Sequence, residues 1–447
     1  MTLSPITSKL YSGLFSSLEI AALFSDESHI KHLLEVEAAL ARVQGKLEII
    51  PLAAAAKISS TTQDLQVDLE QLRVGIENDG FPVIELVRQL REHVGADAAS
   101  FVHFGATTQD IMDTALVLQT RAALTILERD LKRVIGNFSS LANLHRNTLM
   151  AGRTHSRQAL PITFGLKVCT WLAPLLRHLE RLSELKPRVL ILQFGGAAGT
   201  LASLSSRGLE VQTELARELE LHNPIMPWHS QRDSWAELAN WLSLVTGNLG
   251  KMAQDILLLA QSEIAEVRES NDTSRGGSST MPQKSNPIVS ELIVAAARTN
   301  SSLLSNMHHA LISEHERGTS GWQMEMLSLG QMIALTAGAL EKSIFLSENL
   351  VINTNQMLEN VKKSNGLMLA EALQFALGQH MPRSDAKKLV QQAVNITLEE
   401  NRNLIEVARE LTQAPVEWQH LTESQYLGSS QDFIDRVLEK AEKILEI

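Results

Sequence analysis

The chain has 447 residues, 44% of them hydrophobic, which is enough for two or three structural units with a substantial core. A formal charge of −11 excludes the extended positive surface that broad nucleic-acid or acidic-membrane binding requires, and a single cysteine excludes an intrachain disulfide framework or a cysteine-based zinc site. Few glycines and prolines for this length, together with 4% aromatics, point to an all-α protein. There is no basic-then-apolar N-terminal segment and no apolar run of membrane-spanning length, so a soluble cytoplasmic protein is expected.

In chain order, the first hundred residues read as short helices, including 30–43, punctuated by Pro51 and by Gly80-Phe81-Pro82. The run His103-Phe104-Gly105-Ala106-Thr107-Thr108-Gln109-Asp110 follows. Thr107 or Thr108 is suited to cap a helix continuing through Ile111 and Leu116, with Asp110 favoured near its positive end. Unpaired N–H groups at a helix start also bind carboxylates, so the segment reads as cap and anion contact together. Thr107, Thr108 and Gln109 bring hydroxyl and amide donors, and His103 a charge that titrates near neutrality. Leu124, Leu127, Leu131, Val134, Phe138 and Leu141 then recur at steps of three and four, the apolar seam of a long helix.

The run Gly152-Arg153-Thr154-His155-Ser156-Arg157-Gln158-Ala159 is polar, and a histidine in such a loop is by itself a solvated residue. From Pro161 to Leu185 the pattern predicts a helix ending near Lys186-Pro187, with Cys169 buried in an apolar stretch. Residues 195–199 are too glycine-rich to stay regular, and without a βαβ context they are a packing or substrate-side turn, not a dinucleotide fingerprint. Trp235, Leu238, Leu242, Val245, Leu249, Met252, Ile256 and Leu259 form a second long seam that needs neighbours.

The most specific stretch is Gly277-Ser278-Ser279-Thr280-Met281-Pro282-Gln283-Lys284-Ser285-Asn286-Pro287. Gly276 and Gly277 widen the accessible backbone angles, while Pro282 and Pro287 stop the flanks from continuing as helix, so a loop able to open and close is expected. A serine acts as a base only where cations and N–H groups stabilise its alkoxide, and Lys284 and Asn286 are of the type to stabilise either that alkoxide or the dianion formed beside a carboxylate. Further on, Glu314-His315-Glu316-Arg317-Gly318 lacks the spacing of a metal site and reads as a salt-bridged segment or as a source of cations, His315 and Arg317, for the site. Beyond residue 350 shorter helices are expected, with breaks at Met381-Pro382 and Ala414-Pro415.

The loop resembles the G-S-S-x-M-P-x-K-x-N-P motif of the fumarase/aspartase superfamily, and the runs at 103–110 and 152–159 fall where that family has its other two site regions. The resemblance covers nearly the whole chain. It implies an all-α fold in three parts, with residues 1–105 as an N-terminal domain, 106–350 as a central bundle of long helices and 351–447 as a C-terminal domain. It further implies a homotetramer whose active sites are shared between subunits. Ser278 takes the place of the family's catalytic base, with Lys284 and Asn286 beside it and His155 as the histidine that meets a substrate carboxylate. Where the family often has Gln, this chain has Arg157, whose guanidinium forks onto carboxylates far better.

The segments 192–197, 227–233 and 314–317, with Trp322 and residues 20–26, resemble the branch of bacterial 3-carboxy-cis,cis-muconate cycloisomerases. That branch implies lactonisation of a small tricarboxylate with no metal and no organic cofactor. Ser278 would carry the proton, while His103, Thr107, Thr108, Gln109, Arg153, Thr154, Arg157, Arg275, Ser279, Met281, His315 and Arg317 line the substrate. The alternatives are adenylosuccinate lyase or a related C–N lyase, and outside catalysis a crystallin-like structural protein.

Overall fold

Helices carry most of the chain, and their ends follow local chemistry. In the computed structural model, which describes residues 3–270, 276–277, 280–281, 284–318 and 320–446, Ser25 caps the helix Asp26–Lys46 by accepting the Ser28 N–H at 3.2 Å. Asp26 and Glu27 occupy its first turn and Lys46 its last, matching the helix dipole. This helix packs so closely on Leu52–Asp64 that a Cβ on Gly45 would lie 2.4 Å from the Ala55 Cβ. The helices Leu69–Asp79 and Val83–Val94 follow, on either side of the Gly80-Phe81-Pro82 break.

The long helices are Thr108–Leu144, Phe164–Val189, Asp233–Leu259, Ile288–His309 and Ser320–Asn349. Both predicted seams are buried. Trp235 through Leu259 of the second seam are at most 3% exposed, and only Leu141, at the end of the first, is partly open. Each such leucine contributes about 1.5–3 kcal/mol of burial. Because the chain covers these seams itself, they leave no free surface for assembly. Apolar side chains that do remain exposed on the long helices include Leu244, Leu258, Met326 and Leu327.

Two compact units can be separated: residues 1–130, 180–247 and 296–339 form the first, and 131–179, 248–295 and 340–447 the second. Each of the five long helices gives one stretch to each unit. In the second unit, Leu373, Leu377, Ala386, Val390, Leu404 and Val407 build a core of their own beneath the helices Arg383–Glu400 and Leu404–Leu411. The breaks at Met381-Pro382 and Ala414-Pro415 stand where the sequence puts them.

The fold is mostly helical, with two antiparallel ribbons that periodicity did not reveal. Leu149–Thr154 pairs with Arg157–Thr163, and Val267–Arg268 with Val351–Ile352. Pro161 therefore lies in a strand opposite Ala151, and the helix expected from Pro161 begins at Phe164. It also continues through Pro187 to Val189 and carries Pro174 in its interior. A proline inside a helix costs about 3 kcal/mol. Here the fully buried row Leu172, Leu175, Leu176, Leu182 and Leu185 offsets that cost. Cys169 is buried on the same helix, and burial pushes its thiol up to about 11. Among the described residues, no helix is long and apolar enough to cross a membrane.

Candidate active site

In the first unit, the helix Thr108–Leu144 starts at the expected place, and Asp110 organises the start. Its carboxylate, 1% exposed, accepts the N–H groups of Thr107 at 3.0 Å, Gly195 at 2.9 Å and Gly196 at 2.8 Å, and His229 Nε2 lies 2.7 Å from Oδ1. Three backbone donors and a ring saturate one anion, which locks the first helical turn onto the 195–199 glycine turn. Gly196 adopts φ 70°, and a Cβ there would lie 3.2 Å from the Gly105 carbonyl, so the turn packs closely and favours glycine.

Thr107 Oγ1 accepts a hydrogen bond from Arg317 Nη1 at 2.5 Å, which joins the exposed 314–318 turn to the helix start. His315 is exposed on that turn, and Thr108 is partly buried. His103 has a left-handed φ of 63° and places Nδ1 2.6 Å from Glu37 Oε1. Burial disfavours the imidazolium, but the Glu37 carboxylate, aided by Asp110, outweighs it and holds the His103 pKa above the ordinary histidine value. Gln109 departs from expectation. Only 3% exposed, it donates its amide to Asp113 Oδ2 at 3.1 Å and to the His229 carbonyl at 3.0 Å, so it belongs to the scaffold and not to the substrate surface.

Below this start, Arg232 is held between Asp113, at 2.6 and 3.0 Å, and Glu325, at 2.8 and 2.5 Å. All three residues are at most 4% exposed. Burial lifts the Glu325 carboxyl above its usual range, and Asp113 adds to the lift, because a single guanidinium serves two carboxylates. Trp322 Nε1 donates to Asp113 at 3.3 Å while its ring stacks on Phe81 with centroids 4.3 Å apart. Arg232 also lies 4.9 Å from the centre of the Trp228 ring. The network ties residues 81, 113, 228–232 and 322–325 into one frame.

In the second unit, His155 and Ser156 form the two-residue tip of the first ribbon, with Thr154 paired to Arg157 across it. Their φ values of 49° and 62° are those of a hairpin turn that favours Asn-Gly. A histidine and a serine held there are strained, and strain of this kind collects at functional sites. Thr154, His155, Ser156 and Arg157 are all exposed. Arg153 is not free: it donates to Glu266 at 2.9 and 2.6 Å, and Glu266, fully buried, also accepts from Asn360 Nδ2 at 2.9 Å. Expected to meet substrate, Arg153 instead anchors the strand that presents His155.

The 276–287 strap is fastened at its base. Asn286 N–H donates to the Gly276 carbonyl at 2.8 Å, and Gly277 bridges to Ser285. A Cβ at Gly276 would lie 2.4 Å from the Asn286 carbonyl oxygen, and its φ is 70°, so the stem requires glycine. Glu269 accepts the N–H groups of Val289 and Ser290 at 3.1 and 2.7 Å, capping the helix that follows. Met281 and Lys284 are exposed, and Asn286 is half-buried. Arg275, Ser278 and Ser279 lie outside the described residues.

Within the first unit, Thr107 and Arg317 are thus in direct contact, with His103 just upstream of the same helix start. Sequence reasoning missed Glu37, His229, Arg232 and Glu266. His229 and Arg232 sit in a run noted for its resemblance alone, and the buried partners carry no local pattern. Among the described residues, no three His, Cys, Asp or Glu side chains are grouped to hold a metal ion. The second unit thus exposes an amine-bearing strap and a strained histidine tip, and the first unit a helix start contacted by the Arg317 guanidinium, group types that suit proton transfer and carboxylate binding.

Residues 16–299 match the sequence profile of a lyase family. The chain is 40% identical to a 3-carboxy-cis,cis-muconate cycloisomerase of Pseudomonas aeruginosa over 96% of both chains, and 38% identical to one of Acinetobacter baylyi over 97% of this chain and 99% of the other. It superimposes on the crystal structure of the 3-carboxy-cis,cis-muconate lactonizing enzyme of Pseudomonas putida with a TM-score of 0.93, at 36% identity over 98% of this chain and 100% of that one. A family match over more than half the residues, near full-length identity above 30% and a shared helical architecture lead to one conclusion: this chain is a member of the lyase family, with the fumarase/aspartase-type fold.

Proposed function

We propose that the chain is a cofactor-independent cycloisomerase that closes 3-carboxy-cis,cis-muconate to a carboxymuconolactone. The observation that carries this reading is the near end-to-end similarity to cycloisomerases, with the Gly-Ser-Ser-Thr-Met-Pro-Gln-Lys-Ser-Asn-Pro strap intact. One substrate carboxylate oxygen forms a bond to an alkene carbon, and the electron pair moves onto the carbon beside another carboxylate as an aci-carboxylate. A proton from Ser278 then completes the lactone, and the serine alkoxide recovers a proton from solvent, so the trianion becomes a dianion with one proton taken up. Lys284 and Asn286 stabilise the dianion, and His155, Arg157, Arg275, Thr108 and Arg317 hold carboxylates. Ser279, Met281, Thr154 and His315 complete the lining. Each charge-assisted contact contributes on the order of 2 kcal/mol.

The same reading includes a cytoplasmic homotetramer on the three-part plan of residues 1–105, 106–350 and 351–447, with active sites shared between subunits. Its support is the apolar surface left open on the long helices at Leu244, Leu258, Met326 and Leu327. The test is spectrophotometric. Purified protein should consume the tricarboxylate's diene absorbance with stoichiometric lactone formation and leave adenylosuccinate untouched. Turnover of adenylosuccinate without lactonisation would move the chain to the C–N lyases, and inertness toward both would favour a structural role.

A further inference from the structure

We propose that Glu37 is a positioning residue: it grips His103 Nδ1 so that the ring presents its Nε2–H as a fixed cationic donor to a substrate carboxylate. The two side chains meet at 2.6 Å, with Glu37 1% and His103 17% exposed. Glu37 Oε2 finds no donor among the described residues, and the ring makes no other hydrogen bond among them. A buried carboxylate left half-unsatisfied is a poor stabiliser, and an apolar side chain or a glutamine would be cheaper in the Asp26–Lys46 helix. What neither would provide is positive charge on His103.

The surroundings agree with that role. Asp110, from the Thr108–Leu144 helix, adds to the field that favours the imidazolium, while Arg91, from the Val83–Val94 helix, opposes it and burial opposes it most. Glu37 and Asp110 together prevail. His103 is pinned in a left-handed backbone conformation four residues before Thr107, which Arg317 already contacts. Arg317 and a histidine whose protonated form is favoured therefore flank the helix start in a chain whose overall charge of −11 would repel a trianion. The identity of the anion rests on the proposed lactonisation; the state of the ring does not.

Two measurements test this. Hydrogen exchange at the imidazole C2 position, followed by mass spectrometry on the full enzyme without substrate, reports the titration of His103 directly. Its midpoint should lie above the ordinary value of about 6.5 and fall toward it in Glu37→Gln. A wild-type midpoint at or below the ordinary value overturns the proposal, even if the variant does not fold. In steady-state assays Glu37→Gln should raise KM about tenfold above pH 7, with much less change in kcat, and recover as the pH is lowered. In a His103→Gln background the same substitution should add nothing. An equal effect there, or one independent of pH, overturns the assignment. If the enzyme never turns over the tricarboxylate while the exchange midpoints behave as stated, the fault lies with the proposed substrate and not with the Glu37–His103 pair.

Discussion

At the start of the 108–144 helix, Asp110, Asp113, Glu325 and Arg232 are all buried and all matched, with backbone N–H groups, a histidine and a guanidinium taking up the negative charge. Along the hairpin tip and the strap, Thr154, His155, Arg157 and Lys284 face solvent, and the fixing is done by backbone pairing and by the buried pairs Arg153–Glu266 and Glu269 with its helix. The comparison separates two uses of polar residues. In the first region they hold segments together, so their removal should be felt as lost stability; in the second they remain available, so on the proposed function their removal should be felt as lost rate.

The largest effect should break the comparison from the second side. Ser278→Ala is expected to lower kcat by on the order of 10³-fold or more with an unchanged circular dichroism spectrum and melting temperature; near-normal turnover would remove the serine from its proposed role. From the first side, Arg232→Ala leaves two buried carboxylates without a cation, and should cost about 3–5 kcal/mol. Urea denaturation at fixed protomer concentration will measure this, and a change within error would show that the frame does not support the fold. Next, Lys284→Met should reduce kcat by about 10²-fold, while the melting temperature of this exposed position stays put. The smallest effect sharpens the contrast: replacing His155-Ser156 by Asn-Gly relieves two left-handed residues and should stabilise the protein by about 1 kcal/mol while lowering kcat/KM by roughly 30-fold through the lost carboxylate contact. A variant less stable than the parent would mean that the tip carries no strain.

The regions differ as well in how readable they were. The seams at 124–141 and 235–259 and the helix start at Thr108 were legible because each depends on neighbours in sequence: a period or a cap spacing. The matched charges were not. Asp110 looked like a dipole-favoured acid, and nothing local announced that it would gather Gly195, Gly196 and His229 from about 85 to 119 positions away. Gln109 and Arg153 were misplaced for the same reason, since a polar side chain beside a motif looks like a ligand until its buried acceptor is known. The hairpin was missed because strands this short, rich in Arg, Thr and Gln, show no clean alternation.

The lone thiol of the 164–189 helix has a practical consequence. With its pKa pushed to about 11, on the order of one Cys169 in 10⁴ is thiolate at neutral pH. Alkylating reagents therefore pass the native molecule by, whereas an opened chain, whose thiol returns to about 8.5, reacts readily. Iodoacetamide uptake under native conditions will count excursions to open states one molecule at a time, and every variant can be ranked for local opening by the gain of a single covalent mass.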